Sequence, residues 1–535
     1  MPYRDLHDHV NVLEERGLLH RISQPIDKNT ELHPLVRLQF RGLEEKQRKA
    51  FLFENVTDCN KTQYRFPVLA GGIAPSREIY ALGMQCEVDE IADKWLRAVA
   101  KPIAPVEVKD ARAQQVVHQL GKEPTPGSGL DMFPIPISTP GMDPAPYLTC
   151  SHWITHDPVT GVRNVAIYRG QVKASDRVGL VLMTPSQGIR EHWKEARKKG
   201  RPLDVAIVVG APPVVTYAAV SKVPAGVDEI AVAGALAGEP IPVVRCKTSN
   251  VLVPADAEIV LEGQISTDYV EPEGPFGEFL GHMHPVELGR IMQIKCITHR
   301  KDAIWTSLIS QLTPSESSVM RRLGTEAIYL RQLRDSMGIK SVKRVVLPEA
   351  LLSVRRLAII QMENPHTDQT RRALLGVASF IAAGAKMVIA VNDDIDPMDL
   401  NSVFWAMGLR CRPDRDITVI PGFHNDMVPP YDALDENGMA IGHPGGEEAL
   451  LLIDATMKQP FPPVSLPKRE YMERALELWK QLGMPALDLK RPWYGYDLGQ
   501  WSEKLDRAAH AAVKGDYRTY GAELASRRVP APEDF

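Results

Sequence analysis

Apolar residues in the first hundred positions fall close to helical spacing, broken by one apolar run. This predicts a helix from Asp5 to near Gly17, a strand in "KAFLFENV" and a helical stretch over "SREIYALGMQCEVDEIADKWLRAVA". "GKEPTPGSGLDMFPIPISTPGMDPAPY" then interrupts the pattern, and its Pro and Gly content suits a boundary or a long connection. From Leu148 to about Ile309 short runs rich in β-branched residues, close to period 2, predict strands in "LTCSHWITHD", "VRNVAIYRGQVKA", "GLVLMT", "DVAIVVG", "PVVRCKT", "AEIVLEGQIS" and "RIMQIKCITHR". They imply an antiparallel sheet or barrel. One helix interrupts them in "PSQGIREHWKEARKKG", with Ser186 as N-cap, Ile189, Trp193 and Ala196 on one face and Gly200 as the stop. "PAGVDEIAVAGALAG" predicts a second, short helix.

After a helix from Ser315 to Met337 the pattern changes to alternation. "VKRVVL", "RLAIIQM", "KMVIAVN" and "ITVIP" read as strands, and "DQTRRALLGVASFIAAG" and "DLNSVFWAMGL" as helices, which predicts a layered α/β unit with parallel neighbours. Helices from "REYMERALELWKQLG" onward close the chain.

A chain of 535 residues exceeds what one core serves, so two or three domains with clefts between them are expected. The 63 basic and 67 acidic residues are interspersed and give a net charge of -4, which leaves no basic field for nucleic acid or an anionic membrane. Cys59, Cys86, Cys150, Cys246, Cys296 and Cys411 are scattered without a C-x-x-C pair, against a disulfide framework or structural zinc. With a polar start and no apolar run of membrane-spanning length, a cytoplasmic protein acting on small molecules is expected.

Four constellations could carry chemistry. In "EPEGPFGEFLGH", Glu271, Glu273 and Glu278 crowd a Gly-Pro-Phe-Gly turn near His282 and His284. Glu273 and Glu278 suit neither a helix face nor a strand face, so a specific loop must place them, either as a solvated acidic turn or as a pair in which one group keeps its proton. In "RNVAIYRGQ", Asn164 and Arg169 fall on opposite faces of a regular strand, and share a site only if a bulge intervenes. Glu229 reads as a helix-start acid, or with Asn164 as a hard oxygen ligand for Mg²⁺ or Mn²⁺. Asp393, Asp394 and Asp396 follow a strand and could hold Mg²⁺ for phosphoryl or diphosphate chemistry, although capping of the next helix outweighs that reading.

The segments "RNVAIYR", "GAPPVV", "PAGVDEIAVAGAL", "AEIVLEGQI", "EPEGPFGE" and "NDDIDPMDLNSVFWAM" resemble the UbiD family of decarboxylases, which use prenylated FMN. The resemblance runs from the first helix to the "LLIDATMK" strand. It implies an α/β (α+β multidomain) fold: an N-terminal α/β region over 1–115, a split β-barrel flavin-binding domain over 116–325, a C-terminal α/β oligomerisation domain over 326–500, and a terminal helix and tail over 501–535. The family's Arg-Glu-Glu set falls on Arg169, Glu273 and Glu278, with Glu278 as proton donor. Thr149, Asn164, Ala166, Ile167, Gln187, Val220, Ser221 and Glu229 fall at cofactor positions. The metal ligands fall on Asn164 and Glu229, but Gly188 stands where familiar members have a histidine, which leaves the third ligand open among His192, Gln187 and water.

The implied cofactors are prenylated FMN, Mn²⁺ (or Mg²⁺) and K⁺. The implied reaction is non-oxidative decarboxylation, in principle reversible, of an aromatic or heteroaromatic carboxylic acid, through a flavin–substrate adduct, CO₂ loss and protonation by Glu278. An α,β-unsaturated, cinnamic-type acid is the alternative substrate. "SLISQLTPSESS" and "PGFHNDMVPP", with His424 and Asn425, would line the pocket opposite the flavin. A flavin prenyltransferase would supply the cofactor, and a homodimer or higher homo-oligomer is expected.

Overall fold

The computed structural model describes residues 3–121, 127–182, 187–221, 223, 226–279, 281–349, 356–381, 384–424, 433–441, 447–489, 492–495 and 501–530. Ser186, Asn425 and most of the "TPSQ" segment lie outside them, as does the side chain of His424.

Mixed α/β units surround a curled antiparallel sheet. Its strand order is Arg163–Ile167, Ser151–His156, Leu203–Val209, Ile259–Glu273, Glu287–His299, Arg177–Leu180, Gly170–Ala174 and Tyr147–Leu148, with Val116–Gln119 added beside Glu287–His299. This is the expected half-barrel. The ribbon Ile259–Glu273/Glu287–His299 carries the acidic turn at its tip, and a register shift between Ile265 and Val270 bends it. One end of the sheet is closed by the helix Gly188–Lys198, which buries Ile189, Trp193 and Ala196, the face its spacing predicts. Gly200, at φ +64°, follows as the stop.

Two sequence expectations need correction, and one helix goes unpredicted. The stretch from Arg77 forms two helices, Arg77–Met84 and Ile91–Ala100, because Gln85 turns left-handed at φ 55° and closes the first. "VRNVAIYRGQVKA" forms two strands rather than one, separated by a corner at Tyr168 and Arg169. "PPVVTYAA" contributes to a helix, Pro213–Val220, that the sequence gives no sign of, because seven of its eight residues are buried and an all-round apolar helix lacks periodicity. This helix shares a core with the helices Ile91–Ala100, Glu229–Ala237 and Glu316–Arg331.

Beyond the helix Glu316–Arg331, which Ser315 caps, lies a five-stranded sheet in the order Val342–Val346, Leu357–Met362, Met387–Asn392, Glu447–Asp454 and Ile417–His424. The inner three strands are parallel, whereas both edges run antiparallel. Alternate residues of Leu357–Met362 enter different cores: Ala358 and Ile360 pack with the helix Thr367–Phe380, Leu357 and Ile359 with Leu400–Arg410. Period-2 alternation therefore places one helix on each face. No helix among the described residues is long and apolar enough to cross a membrane.

Candidate active site

The turn at the ribbon tip needs its glycine. Gly274 sits at φ +109°, and a Cβ there would lie 3.0 Å from the Pro285 carbonyl oxygen. The chain then doubles back through a short ladder, Phe276–Gly277 against Met283–His284, and the Glu278 N–H donates to His282 O at 2.9 Å. On the other side the Tyr147 hydroxyl donates to Pro275 O at 3.2 Å, and its ring lies 4.3 Å from that of Phe276. These contacts bring Glu273 and Glu278 to one side of the turn.

Arg169 stands between them. The strand Arg163–Ile167 ends two residues earlier, and the corner is held by Tyr168 O, which accepts from Trp153 Nε1 at 3.0 Å and Ser151 Oγ at 2.7 Å. The Arg169 guanidinium donates through Nη2 to Glu273 Oε2 at 3.0 Å and through Nη1 to Glu278 Oε1, with the Phe276 ring 5.3 Å away. The side chains of Glu273 and Glu278 are 0% and 13% exposed. Burial raises the Glu273 pKa, Arg169 opposes the shift and the neighbouring Glu278 adds to it. Burial disfavours the charged form of Arg169 too, yet the two carboxylates together hold its pKa above the ordinary value.

Glu278, but not Glu273, faces a cavity of about 810 Å³, within the range that holds a cofactor. One acid is thus presented and the other lies behind the arginine. Thr149, Ala166, Ile167, Val220 and Ser221 also line this cavity, so the corner at Tyr168 lets Asn164 and Arg169 share it despite their spacing.

Asn164, Gln187, Gly188, His192 and Glu229 form a polar part of the wall. Gly188 and Glu229 are each the first residue of a helix. A Cβ at 188 would lie 2.8 Å from Asn164 Cγ, so no side chain fits at 188 with Asn164 in place. Asn164 Nδ2 is buried without a hydrogen-bond partner among the described residues. Glu229 Oε2 accepts the Val165 N–H at 3.0 Å, and burial pushes its carboxyl up to about 7. His192 Nδ1 pairs with Thr155 Oγ1 at 2.8 Å, and burial holds its imidazole below the ordinary pKa. An amide, a strained carboxyl and a neutral imidazole on one wall suit a divalent cation of borderline hardness. No group of three His, Cys, Asp or Glu side chains among the described residues is gathered to hold a metal.

Other candidates lie apart. His282 is exposed, and buried His284 lies beside Glu287; neither lines the cavity. Asp394 is paired with Arg410, Asp396 accepts the Met398 N–H at 3.0 Å, and Asp399 caps the helix Leu400–Arg410. Leu308, Ser310 and Ser317 of "SLISQLTPSESS" line the cavity, as do residues the sequence reading missed, Phe279, Arg321 and Thr325. Phe279 lies under Arg321, 4.2 Å from the guanidinium carbon to the ring centre, and Ser317, Arg321 and Thr325 face it at four-residue intervals on the helix Glu316–Arg331. That polar stripe, on a helix otherwise largely buried, is the signal that could have found them.

The fold is that of the carboxy-lyases matched below, solved members of which hold prFMN or FMN. The chain belongs to the UbiD family: the models of the 3-octaprenyl-4-hydroxybenzoate carboxy-lyase N-terminal, Rift-related and C-terminal domains match residues 10–99, 106–312 and 318–445. An uncharacterized Synechocystis protein is 29% identical over 526 residues, covering 92% of this chain and 100% of that protein. The UbiD-class enzyme HmfF from Pelotomaculum thermopropionicum, solved with prFMN in an evolved dimeric form, is 29% identical over 87% of this chain and 97% of its own, with a TM-score of 0.73. The vanillic acid decarboxylase of Sedimentibacter hydroxybenzoicus, in its closed form, is 25% identical over 90% of this chain and 100% of its own, with a TM-score of 0.75.

Proposed function

We propose that this chain is a prenylated-FMN-dependent, non-oxidative decarboxylase of an aromatic or heteroaromatic carboxylic acid. The observation that carries the reading is the arrangement at the turn: Arg169 holds two carboxyls, and only Glu278 faces the cavity. Loss of CO₂ from an sp² carbon leaves charge that no side chain can delocalise, and prenylated FMN, when bound, supplies that electron sink. Asn164 and Glu229 would hold Mn²⁺ (or Mg²⁺), with His192, Gln187 or water as the third ligand, since Gly188 has no side chain to offer. The cofactor phosphate, with K⁺, would sit by the N-terminus of the helix Gly188–Lys198, whose first turn has no side-chain cap.

The chain's own residues then do three things. Arg169 orients the substrate carboxylate. Glu278 donates the proton that replaces CO₂, since it alone of the pair reaches the cavity. Glu273, buried behind the arginine, sets the charge balance that decides when Glu278 holds its proton. The vanillic acid decarboxylase supports an aromatic acid over a cinnamic-type one. The Mg²⁺ phosphoryl alternative is disfavoured, because Arg410 already pairs with Asp394. A flavin prenyltransferase would supply the cofactor, and a homodimer or higher assembly is proposed.

The test is expression alongside a flavin prenyltransferase, followed by an absorbance spectrum and CO₂ release from a panel of aryl and alkenyl acids. Release from aryl acids by flavin-loaded protein supports the reading; loaded protein that releases CO₂ from none of the panel refutes it.

A further inference from the structure

A buried run of hydrogen bonds leads from the N-terminal unit to the wall of the cavity. It starts at His33, in the first turn of the helix Leu32–Gly42 and 0% exposed. His33 Nε2 lies 2.8 Å from Ser307 Oγ, and Ser307 Oγ lies 3.0 Å from Thr149 Oγ1. Thr149 Oγ1 also accepts the Leu308 N–H at 2.9 Å. The strand Trp305–Ser307 pairs in parallel with Val68–Ala70, which fixes Ser307 against the N-terminal unit. Residues 33 and 307, 274 positions apart, thus meet behind a residue that lines the cavity. Thr149 also stands at the end where Arg169 acts. Leu148 pairs with Gly170 in an antiparallel ladder, so Thr149 and Arg169 each lie one step beyond that pair, at the same end of it.

Counting donors gives the run a direction. Burial, with Arg37 adding to it, pushes the His33 imidazole down to about 3, so the ring is neutral and carries one N–H. Nδ1 is buried without a hydrogen-bond partner among the described residues: the nearby Ser138 carbonyl, which accepts from Arg37 Nη2 at 3.3 Å, does not meet it in hydrogen-bonding geometry. Buried N–H groups without an acceptor are rarer than buried lone pairs without a donor, which assigns the proton to Nε2. His33 Nε2–H then donates to Ser307 Oγ, and the Ser307 hydrogen goes on to Thr149 Oγ1. Thr149 Oγ1 accepts twice, from Ser307 and from Leu308, and its own hydrogen is left for the cavity. An isoalloxazine ring carries several nitrogen and oxygen acceptors and a single N–H, so a wall group that donates matches it.

Resting on the decarboxylase reading for what fills the cavity, we propose that His33 is a positioning residue: acting through Ser307, it sets the Thr149 hydroxyl as a donor to an acceptor atom of the bound flavin ring, at the Arg169 end of the cavity. FMN itself is the probe, titrated with Mn²⁺ and K⁺ into cofactor-free protein and followed by its fluorescence. Thr149→Val removes the donor and should weaken FMN binding about tenfold, the worth of one hydrogen bond. His33→Leu leaves Ser307 Oγ without its donor, so the Thr149 hydrogen turns back to Ser307, and a similar loss is expected. His33→Gln, with an amide N–H near the place of Nε2–H, should restore the affinity to within about threefold of wild type. The double variant His33→Leu/Thr149→Val should bind no more weakly than Thr149→Val, because both act through one hydroxyl. A role confined to packing predicts additive losses and no rescue by glutamine.

NMR of ¹⁵N-histidine-labelled, cofactor-free wild type reads the tautomer directly, the His33 signal being the one lost in His33→Gln. A proton on Nε2 supports the proposal; a proton on Nδ1 reverses the run and overturns it, whether or not His33→Leu folds. Wild-type FMN affinity in both Thr149→Val and His33→Leu, or no FMN binding by wild type, also overturns it. If loaded wild type releases CO₂ while the variants bind FMN as wild type does, the decarboxylase reading stands without the proposal. If loaded wild type turns over no acid, that reading falls, and the FMN and tautomer results still decide the role of His33.

Discussion

Replacing Arg169 by methionine keeps most of the side-chain volume and removes the charge that two acids share. Glu273 is 0% exposed, so solvent offsets little of that loss. At an effective dielectric of about 20 and a separation near 4 Å the lost attraction is about 4 kcal/mol. The Glu273 pKa already lies above its ordinary value, so its folded-state pKa exceeds the unfolded one and must rise further. A group of that kind leaves stability intact below the unfolded pKa and lowers it as pH climbs toward the folded pKa. Arg169→Met should therefore melt close to wild type at pH 5 and about 10 °C lower at pH 8, taking 2–4 °C per kcal/mol for a domain of about 200 residues. Calorimetry of cofactor-free protein measures this, and adding Glu273→Gln should flatten the pH dependence. A melting difference that is the same at pH 5 and pH 8, or a double variant no more stable than Arg169→Met at pH 8, would refute the argument that Arg169 neutralises a buried acid.

Other outcomes follow from the same geometry. Asn164→Ala should strip bound Mn²⁺, and Gly188→Ser, forced against Asn164, should lower metal content in the same direction; elemental analysis of purified protein checks both. Glu316, fully buried, accepts backbone N–H groups of Gly71, Ile73, Ala74 and Ile309 at 3.2, 2.7, 3.2 and 3.4 Å. Glu316→Ala orphans all four, at about 1 kcal/mol each, and denaturant titration should show a loss of about 4 kcal/mol.

Much of the architecture is legible in the sequence because the driving pattern is local. Period-2 runs mark the central strands, Gly200 marks a helix end, and Asp399 a helix start. The acidic turn was visible too, since Gly-Pro-Phe-Gly between glutamates has no regular-structure explanation. What escaped depends on long-range contacts. Strand alternation sends Asn164 and Arg169 to opposite faces, and only the corner at Tyr168, held by Trp153 and Ser151, brings both to one cavity. The helix Pro213–Val220 is buried on all sides and so shows no amphipathic period. Tyr147 sits in a stretch whose composition says only a connection, and its hold on Pro275, 128 positions away, has no local trace.

The central claim is that Glu278 delivers the proton that replaces CO₂. Glu278→Gln changes one atom of a side chain that stays in contact with Arg169, so the flavin should bind as in wild type. The direct measurement is CO₂ release and deuterium uptake from heavy water by the loaded variant, beside loaded wild type of matched absorbance. Turnover at least about 100-fold lower, with no deuterated product accumulating, is the predicted result. Wild-type release and labelling by Glu278→Gln would contradict it.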